Sequence, residues 1–184
     1  ALHTEGDRLK FINCRILGNQ DTIYTGAKFT RLYFKDCYID GTTDFIFGPS
    51  TALFEDCIIH SKRNSYVTAA STPKEAKYGY VFKHCKLTAE PGVDKVYLGR
   101  PWRPYAYTLF IECELGKHIV LAGWHNWGKQ SNEETARYME YKNTGEGANA
   151  SERVAWSKQL TKKEAEAVTV DAIFRTQSNW NPID

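Results

Sequence analysis

Charge imbalance is the first thing this sequence lacks. Its 24 Lys and Arg stand against 22 Asp and Glu, a net charge of +2. Blocks of like charge are missing too, so neither a nucleic-acid footprint nor attraction to an anionic membrane surface is indicated. No apolar stretch approaches the roughly eighteen residues that span a bilayer as a helix. The opening residues ALHTEGDRLK carry neither the basic nor the apolar region of a signal peptide, and the chain opens in mid-pattern, as a truncated sequence would. Metal-ligand spacing is absent: there is no C-x-x-C, and His3, His60, His84, His118 and His125 show no H-E-x-x-H arrangement. G-x-S-x-G, P-loop and G-x-G-x-x-G motifs do not occur, which excludes serine-elbow chemistry and phosphate cradles of those kinds. The catalytic groups left to consider are carboxylates.

What is present is a repeat. The chain has 184 residues, 42% of them apolar, enough for one domain with a real core. Its five cysteines sit in one frame, aromatic-x-x-Cys-x-aliphatic: FINCRI (Cys14), YFKDCYI (Cys37), LFEDCII (Cys57), VFKHCKL (Cys85) and LFIECEL (Cys113). The intervals of 23, 20, 28 and 28 residues fall in the range of solenoid repeats. Each frame alternates apolar and polar residues as a short strand does. Between frames, Gly, Asn, Asp, Thr and Pro replace the long helical patterns that crossovers would need. An all-β, right-handed parallel β-helix is predicted, with successive coils paired and the cysteines in one inward ladder as small apolar fillers. Their odd number and in-register stacking argue against a full set of disulfides. The alternative is a β-sandwich in which the Cys positions coincide.

The pattern divides the chain into coils over 1–128 and a tail over 129–184 packing on the same domain. The tail is polar, with a strand expected around Tyr138 to Tyr141. Thr161 and Glu164 form a capping box that opens a short helix carrying Ala165, Ala167 and Val168. The tail is expected along the outside of the coil, anchored by Trp156 and Phe174. Asn149-Ala150-Ser151 fits a glycosylation sequon.

The cysteine register also aligns CRILGNQDTIY with CYIDGTTDFIF. Gly18 then matches Gly41, Asp21 matches Asp44, Ile23 matches Ile46 and Tyr24 matches Phe47. Equivalent positions on adjacent coils lie about 5 Å apart. Two carboxylates that close cannot both ionise comfortably, and splitting their pKa values is how one site holds an acid beside an anionic nucleophile or base. The simpler alternative is that both aspartates cap turns. Tyr24 and Phe47 would form an aromatic shelf, suited to a sugar ring if it faces solvent and to the core if it faces inward. Farther on, YLGRPWRPYAYT supplies Arg100, Trp102 and Arg103. Arg100 could hold a carboxylate by a planar, two-point hydrogen bond, and Trp102 offers a flat apolar face. Together with the acid pair they describe a cleft for a polar, ring-shaped, anionic ligand.

In this order, GNQDTIY, GTTDFIFG, YLGRPW and AGWHNW resemble the pectin methylesterases, and the tail RVAWSKQLT is similar to that of bacterial members. The resemblance implies a carbohydrate esterase that removes methanol from methylated galacturonate units of pectin. It implies that Asp44 is the nucleophile, that Asp21 protonates the leaving methanol and then activates water, and that Gln20 donates to the oxyanion. Arg100 would keep Asp44 ionised, and Trp102, Tyr24 and Phe47 would line the sugar subsites. The implied protein is a secreted or periplasmic monomer acting on pectin, with no metal or organic cofactor and no nucleic-acid or membrane partner. The family also has a G-x-Y-x-E motif and a second oxyanion glutamine ahead of the point where this chain begins. A chain without them is expected to be weakly active or inactive, since one such donor is worth about 10²- to 10³-fold in rate. Thr43 stands where valine is usual.

Two other functions remain open on the sequence. A β-helical glycosidase or lyase would also use carboxylates, although a lyase needs a calcium-binding carboxylate cluster that is not evident. A pectin-binding module would keep the groove and lack turnover.

Overall fold

The computed structural model describes residues 1–175 and 179–183 of the chain. Its strands make three sheets in which every pairing is parallel and joins one coil to the next. The first contains Leu2–Thr4, Ile23–Thr25, Ile46–Gly48, Tyr66–Ala70 and Tyr97–Gly99. The second contains Leu9–Ile12, Arg31–Lys35, Thr51–Glu55, Tyr80–Lys83, Tyr107–Ile111, Arg137–Tyr141 and Lys158–Gln159. The third contains Arg15–Ile16, Tyr38–Gly41, Ile58–Ser61, Lys86–Ala89 and Glu114–Leu115. This is the parallel β-helix that the cysteine frame predicts.

The frame itself marks a turn. The residue before each cysteine lies in left-handed backbone: Asn13 (φ 53°), Asp36 (53°), Asp56 (52°), His84 (54°) and Glu112 (50°). Asn and Asp tolerate this region better than most side chains. Each of these amides also donates to a carbonyl of the next coil, at 2.8 to 3.1 Å. One such residue turns the chain from the second sheet into the third and brings the following cysteine inward. There the thiol does more than fill space. Cys37, Cys57, Cys85 and Cys113 each place Sγ 3.3 to 3.6 Å from the carbonyl of the phenylalanine one coil earlier. All five cysteines are free.

The aromatic position of the frame builds the centre of the core. Phe11, Phe34, Phe54, Phe82 and Phe110 stack in one column with ring centroids 4.8, 4.6, 4.6 and 4.4 Å apart. Such stacks contribute about 0.5 to 1.5 kcal/mol each beyond the area they bury. The aliphatic position forms a second column, Ile16, Ile39, Ile59, Leu87 and Leu115, in exact strand register.

The expected strand in the tail is present as Arg137–Tyr141, and it is a further rung of the second sheet, paired in register with Tyr107–Ile111. The segment therefore continues the coil instead of lying along its outside, because Tyr138 and Glu140 face inward and are nearly sealed from solvent. The Glu140 carboxylate meets the Arg153 guanidinium at 2.8 and 3.2 Å with both side chains 3% exposed. Trp124 Nε1 donates to Glu140 Oε1 at 3.3 Å. Of the two anchors expected, Phe174 is fully buried and Trp156 packs partly buried against Tyr138. The Thr161–Glu164 capping box opens a helix of five residues, Lys162–Glu166, and a second short helix, Val170–Phe174, follows.

Candidate active site

The first sheet supplies the floor of the site, and the turns leading into it supply the carboxylates. Asp21 and Asp44 occupy the same turn on consecutive coils, with φ of 56° and 48°. The Asp21 amide donates to Thr43 O at 3.2 Å, and the Asp44 amide donates to Tyr66 O at 2.9 Å. Two residues on, Ile23 and Ile46 pair in register and point into the core. Upstream, Gly41 has no room for a side chain: a Cβ would lie 2.2 Å from Phe45 Cβ and 2.8 Å from the carbonyl of Asn19. Phe45 is thus packed under the turn, and Asp44 is lifted to the cleft floor although it is only 7% exposed. Thr43 finds a partner as well, accepting from Ser65 Oγ at 2.8 Å.

The two aspartates differ in their surroundings. Asp44 is bound by Arg100, with Nε on Oδ1 at 3.0 Å and Nη2 on Oδ2 at 2.7 Å. Asp21 is more open and, among the described residues, has no such cation. Desolvation, with the charge of Asp44 adding to it, holds its pKa above the ordinary carboxylate value. One carboxylate is therefore paired and the other is disposed to carry a proton, the asymmetry an acid–nucleophile pair needs.

Arg100 is in turn seated on aromatic faces. Its Cζ lies 3.9 Å from the Tyr66 ring centroid and 3.7 Å from that of Trp127. Trp127 is aimed by a tight turn in which its amide donates to His125 Nδ1 at 3.0 Å. His125 is held below the usual imidazole pKa by burial and by Arg100, which favours the neutral ring that can accept this bond.

These groups enclose a cleft of about 270 Å³ lined by Gln20, Asp21, Asp44, Phe47, Ala69, Arg100, Trp102 and Trp127. Of the residues singled out in the sequence, Gln20, Asp21, Asp44, Arg100, Phe47 and Trp102 meet here. Tyr24 lines an adjoining groove of about 370 Å³, with Trp102 on the border of both. Tyr24 and Phe47 stack at 4.4 Å and 10°, and Phe47 meets Trp102 edge to face at 5.5 Å. The aromatic shelf is therefore half-exposed and continuous with the acid pair. Arg103 sits outside the cleft, in the adjoining groove and over the Trp102 ring.

Two contributors were not singled out from the sequence. Trp127 belongs to the AGWHNW motif, which signals its importance without showing what it touches. Tyr66 lies in NSYVTAAS, where nothing in the local pattern marks it. Among the described residues, no group of three or more His, Cys, Asp or Glu is arranged to hold a metal ion.

The pectinesterase family model matches residues 1–177. The chain is 44% identical to Pectinesterase 31 of Arabidopsis thaliana over 166 residues, covering 90% of this chain and 52% of the relative. Among solved structures, pectin methylesterase from carrot superposes with a TM-score of 0.85 at 34% identity, covering 91% of this chain and 57% of that one. A pectin methylesterase in complex with a hexasaccharide superposes with a TM-score of 0.80 at 30% identity, covering 96% of this chain and 59% of that one. The chain thus spans about half the length of the relatives it matches. On the family match and these identities, the chain belongs to the pectinesterase family.

Proposed function

We propose that the site hydrolyses methyl esters of galacturonate units in pectin and releases methanol. The observation that carries this reading is the unequal acid pair: Asp44 bound at both oxygens by Arg100, and Asp21 beside it with a raised pKa and, among the described residues, no cation.

In this mechanism an Asp44 oxygen attacks the ester carbonyl carbon, and the carbonyl electrons move to oxygen, where the Gln20 amide donates a hydrogen bond. The tetrahedral species collapses as the bond to methoxy breaks, and Asp21 gives its proton to the departing oxygen. The products are methanol and an anhydride joining Asp44 to the sugar carboxyl. Water then loses a proton to the Asp21 carboxylate and attacks the sugar carbonyl of the anhydride. Asp44 leaves as carboxylate, Asp21 is again protonated, and the sugar departs with its new carboxyl group, which gives its proton to bulk water to become galacturonate. Arg100 compensates the Asp44 charge at the start and end of the cycle. Phe47 and Trp102 in the cleft, with Tyr24 in the adjoining groove, offer the faces for successive sugar rings. No step calls for a metal or an organic cofactor. The protein acts as a monomer, with no nucleic-acid or membrane partner. The substrate places its action outside the cell or in the periplasm.

Methanol release from methylated pectin, polymer length and pectin binding should be measured on one preparation. Esterase action gives methanol from unshortened polymer, and Asp44→Asn abolishes it. Polymer shortening without methanol would indicate a glycosidase or lyase, and binding without either product would indicate a binding module.

A further inference from the structure

Tyr66 touches both members of the Asp44–Arg100 pair through different atoms. Its carbonyl oxygen accepts the Asp44 amide at 2.9 Å. Its ring carries the Arg100 guanidinium, with Cζ 3.9 Å from the ring centroid. The ring is backed by a wall of its own: Tyr97, its register partner on the next strand, stacks on it at 5.3 Å, and His125 packs against both tyrosines at 5.4 Å. Among the described residues its hydroxyl makes no hydrogen bond, so the ring face is the part in use. Tyr66 does not line the cleft.

An arginine side chain has several rotatable bonds, and a two-point bond to a carboxylate forms only when the guanidinium lies near the carboxylate plane. The Arg100 backbone is fixed by the hydrogen bond its amide donates to Thr68 O at 3.0 Å, but that leaves the side chain free to swing. An aromatic face restricts the swing, because the guanidinium gains cation–π attraction only when it lies over the ring. Trp127 adds a second face at 3.7 Å, yet Trp127 also lines the cleft, so its removal would disturb ligand contacts as well. A loosened Arg100 would have another anion to pair with, the carboxylate of a de-esterified sugar in the cleft.

We propose that Tyr66 is a positioning residue that keeps Arg100 aligned on Asp44 and away from carboxylates of the bound polymer. The inference rests on the esterase reading for its kinetic consequences and on geometry alone for the state of Arg100.

The test compares the full chain with Tyr66→Leu, Tyr66→Met and Tyr66→Phe. Turnover of methylated pectin, inhibition by fully de-esterified galacturonan and 15N relaxation of Arg100 Nε–H are measured for each. Tyr66→Leu and Tyr66→Met should lower kcat about 5- to 30-fold, with KM for methylated pectin within about two-fold of wild type. Both should be inhibited more strongly by de-esterified galacturonan, and their Arg100 Nε–H should become mobile. Tyr66→Phe should match the parent in all three measurements, because it keeps the ring. Tyr66→Met covers the case in which Tyr66→Leu does not fold. An unchanged Arg100 Nε–H relaxation in the folded Leu or Met variant would overturn the proposal, as would a Tyr66→Phe variant as impaired as Tyr66→Leu. If the parent chain releases no methanol, the esterase reading fails for this chain as it stands, while the relaxation measurement still decides whether Tyr66 holds Arg100.

Discussion

Arg100 grips Asp44 at two points, Nε to Oδ1 at 3.0 Å and Nη2 to Oδ2 at 2.7 Å, and so fixes the plane of the carboxylate as well as its charge. A lysine can supply the charge but not the fork. Arg100→Lys should therefore fold and bind pectin while losing kcat by about 10²-fold. Arg100→Gln should lose more and also melt earlier, because it leaves the largely buried Asp44 without a cation. Methanol-release kinetics beside a thermal melt check both statements. Parent-like kcat in Arg100→Lys would mean that the charge alone is used.

The unequal pair predicts a trade between activity and stability at Asp21. Its folded pKa is raised above 3.8 by desolvation and by Asp44. The sign follows: the folded state holds this proton more tightly, so the ionised group is a penalty that is fully present above the folded pKa and gone below the unfolded one. Asp21→Asn should thus raise Tm at pH 7, by a margin kept small because Asp21 is solvent-exposed, and the gain should shrink as pH falls toward 3.8. The same change should strongly reduce methanol release. A variant that is less stable at pH 7 would contradict the repulsion between the two carboxylates.

What could be read in the sequence was whatever keeps a constant offset from the cysteines. The phenylalanine column, the aliphatic column and the alignment of Asp21 with Asp44 all lie within a few residues of a cysteine, where no loop intervenes. Tyr66, nine residues after Cys57, escapes because its strand has no matching motif on the coil before. Arg100 and Trp127 lie beyond the loop stretches 90–96 and 116–126, so their contacts with Tyr66 depend on loop paths that spacing does not encode. Glu140 and Arg153 were hidden for another reason. In a polar segment each reads as a solvated charge, and only the fold shows that they neutralise each other inside it. The strand around Tyr138 to Tyr141 is legible as a strand, but the same polarity puts its segment outside the coil, where the structure makes Arg137–Tyr141 a further rung.

The aromatic column predicts a positional gradient in stability. Phe54 is fully buried and stacks on Phe34 and Phe82 at 4.6 Å on either side. Phe54→Ala should cost about 3 to 5 kcal/mol, since it removes a large side chain from a site that neighbouring coils cannot collapse into. Phe11 is half-buried and stacks on one side only, on Phe34, so Phe11→Ala should cost less than half as much. Urea unfolding of both variants tests the gradient, and equal losses would show that the column does not act as a stack. Added reductant should leave the parent's transition in place, because all five cysteines are free.

Acid should weaken the fold through His118. The ring is 4% exposed, packs against Gly116 and, among the described residues, leaves Nε2 without a hydrogen-bond partner. Burial, with His60 adding a smaller push, lowers its pKa from 6.5 to about 4. As pH falls through 6.5 the unfolded chain takes up this proton first, while the folded chain resists until about 4. Stability should therefore be complete above that window and decline across it, by up to about 3 kcal/mol from this group. His118→Asn, which cannot titrate, should show a shallower decline in urea midpoint between pH 6.5 and 4. The remaining slope belongs partly to His125, whose pKa is lowered in the same direction. Asp21 works the other way, since its protonation in acid relieves a penalty. Between pH 6.5 and 4 the buried His118 and the half-buried His125 thus pull stability down while the site's own carboxyl, Asp21, pushes the other way. Parallel profiles for His118→Asn and the parent would show that the fold accommodates a charged His118, and would leave His125 as the group to examine.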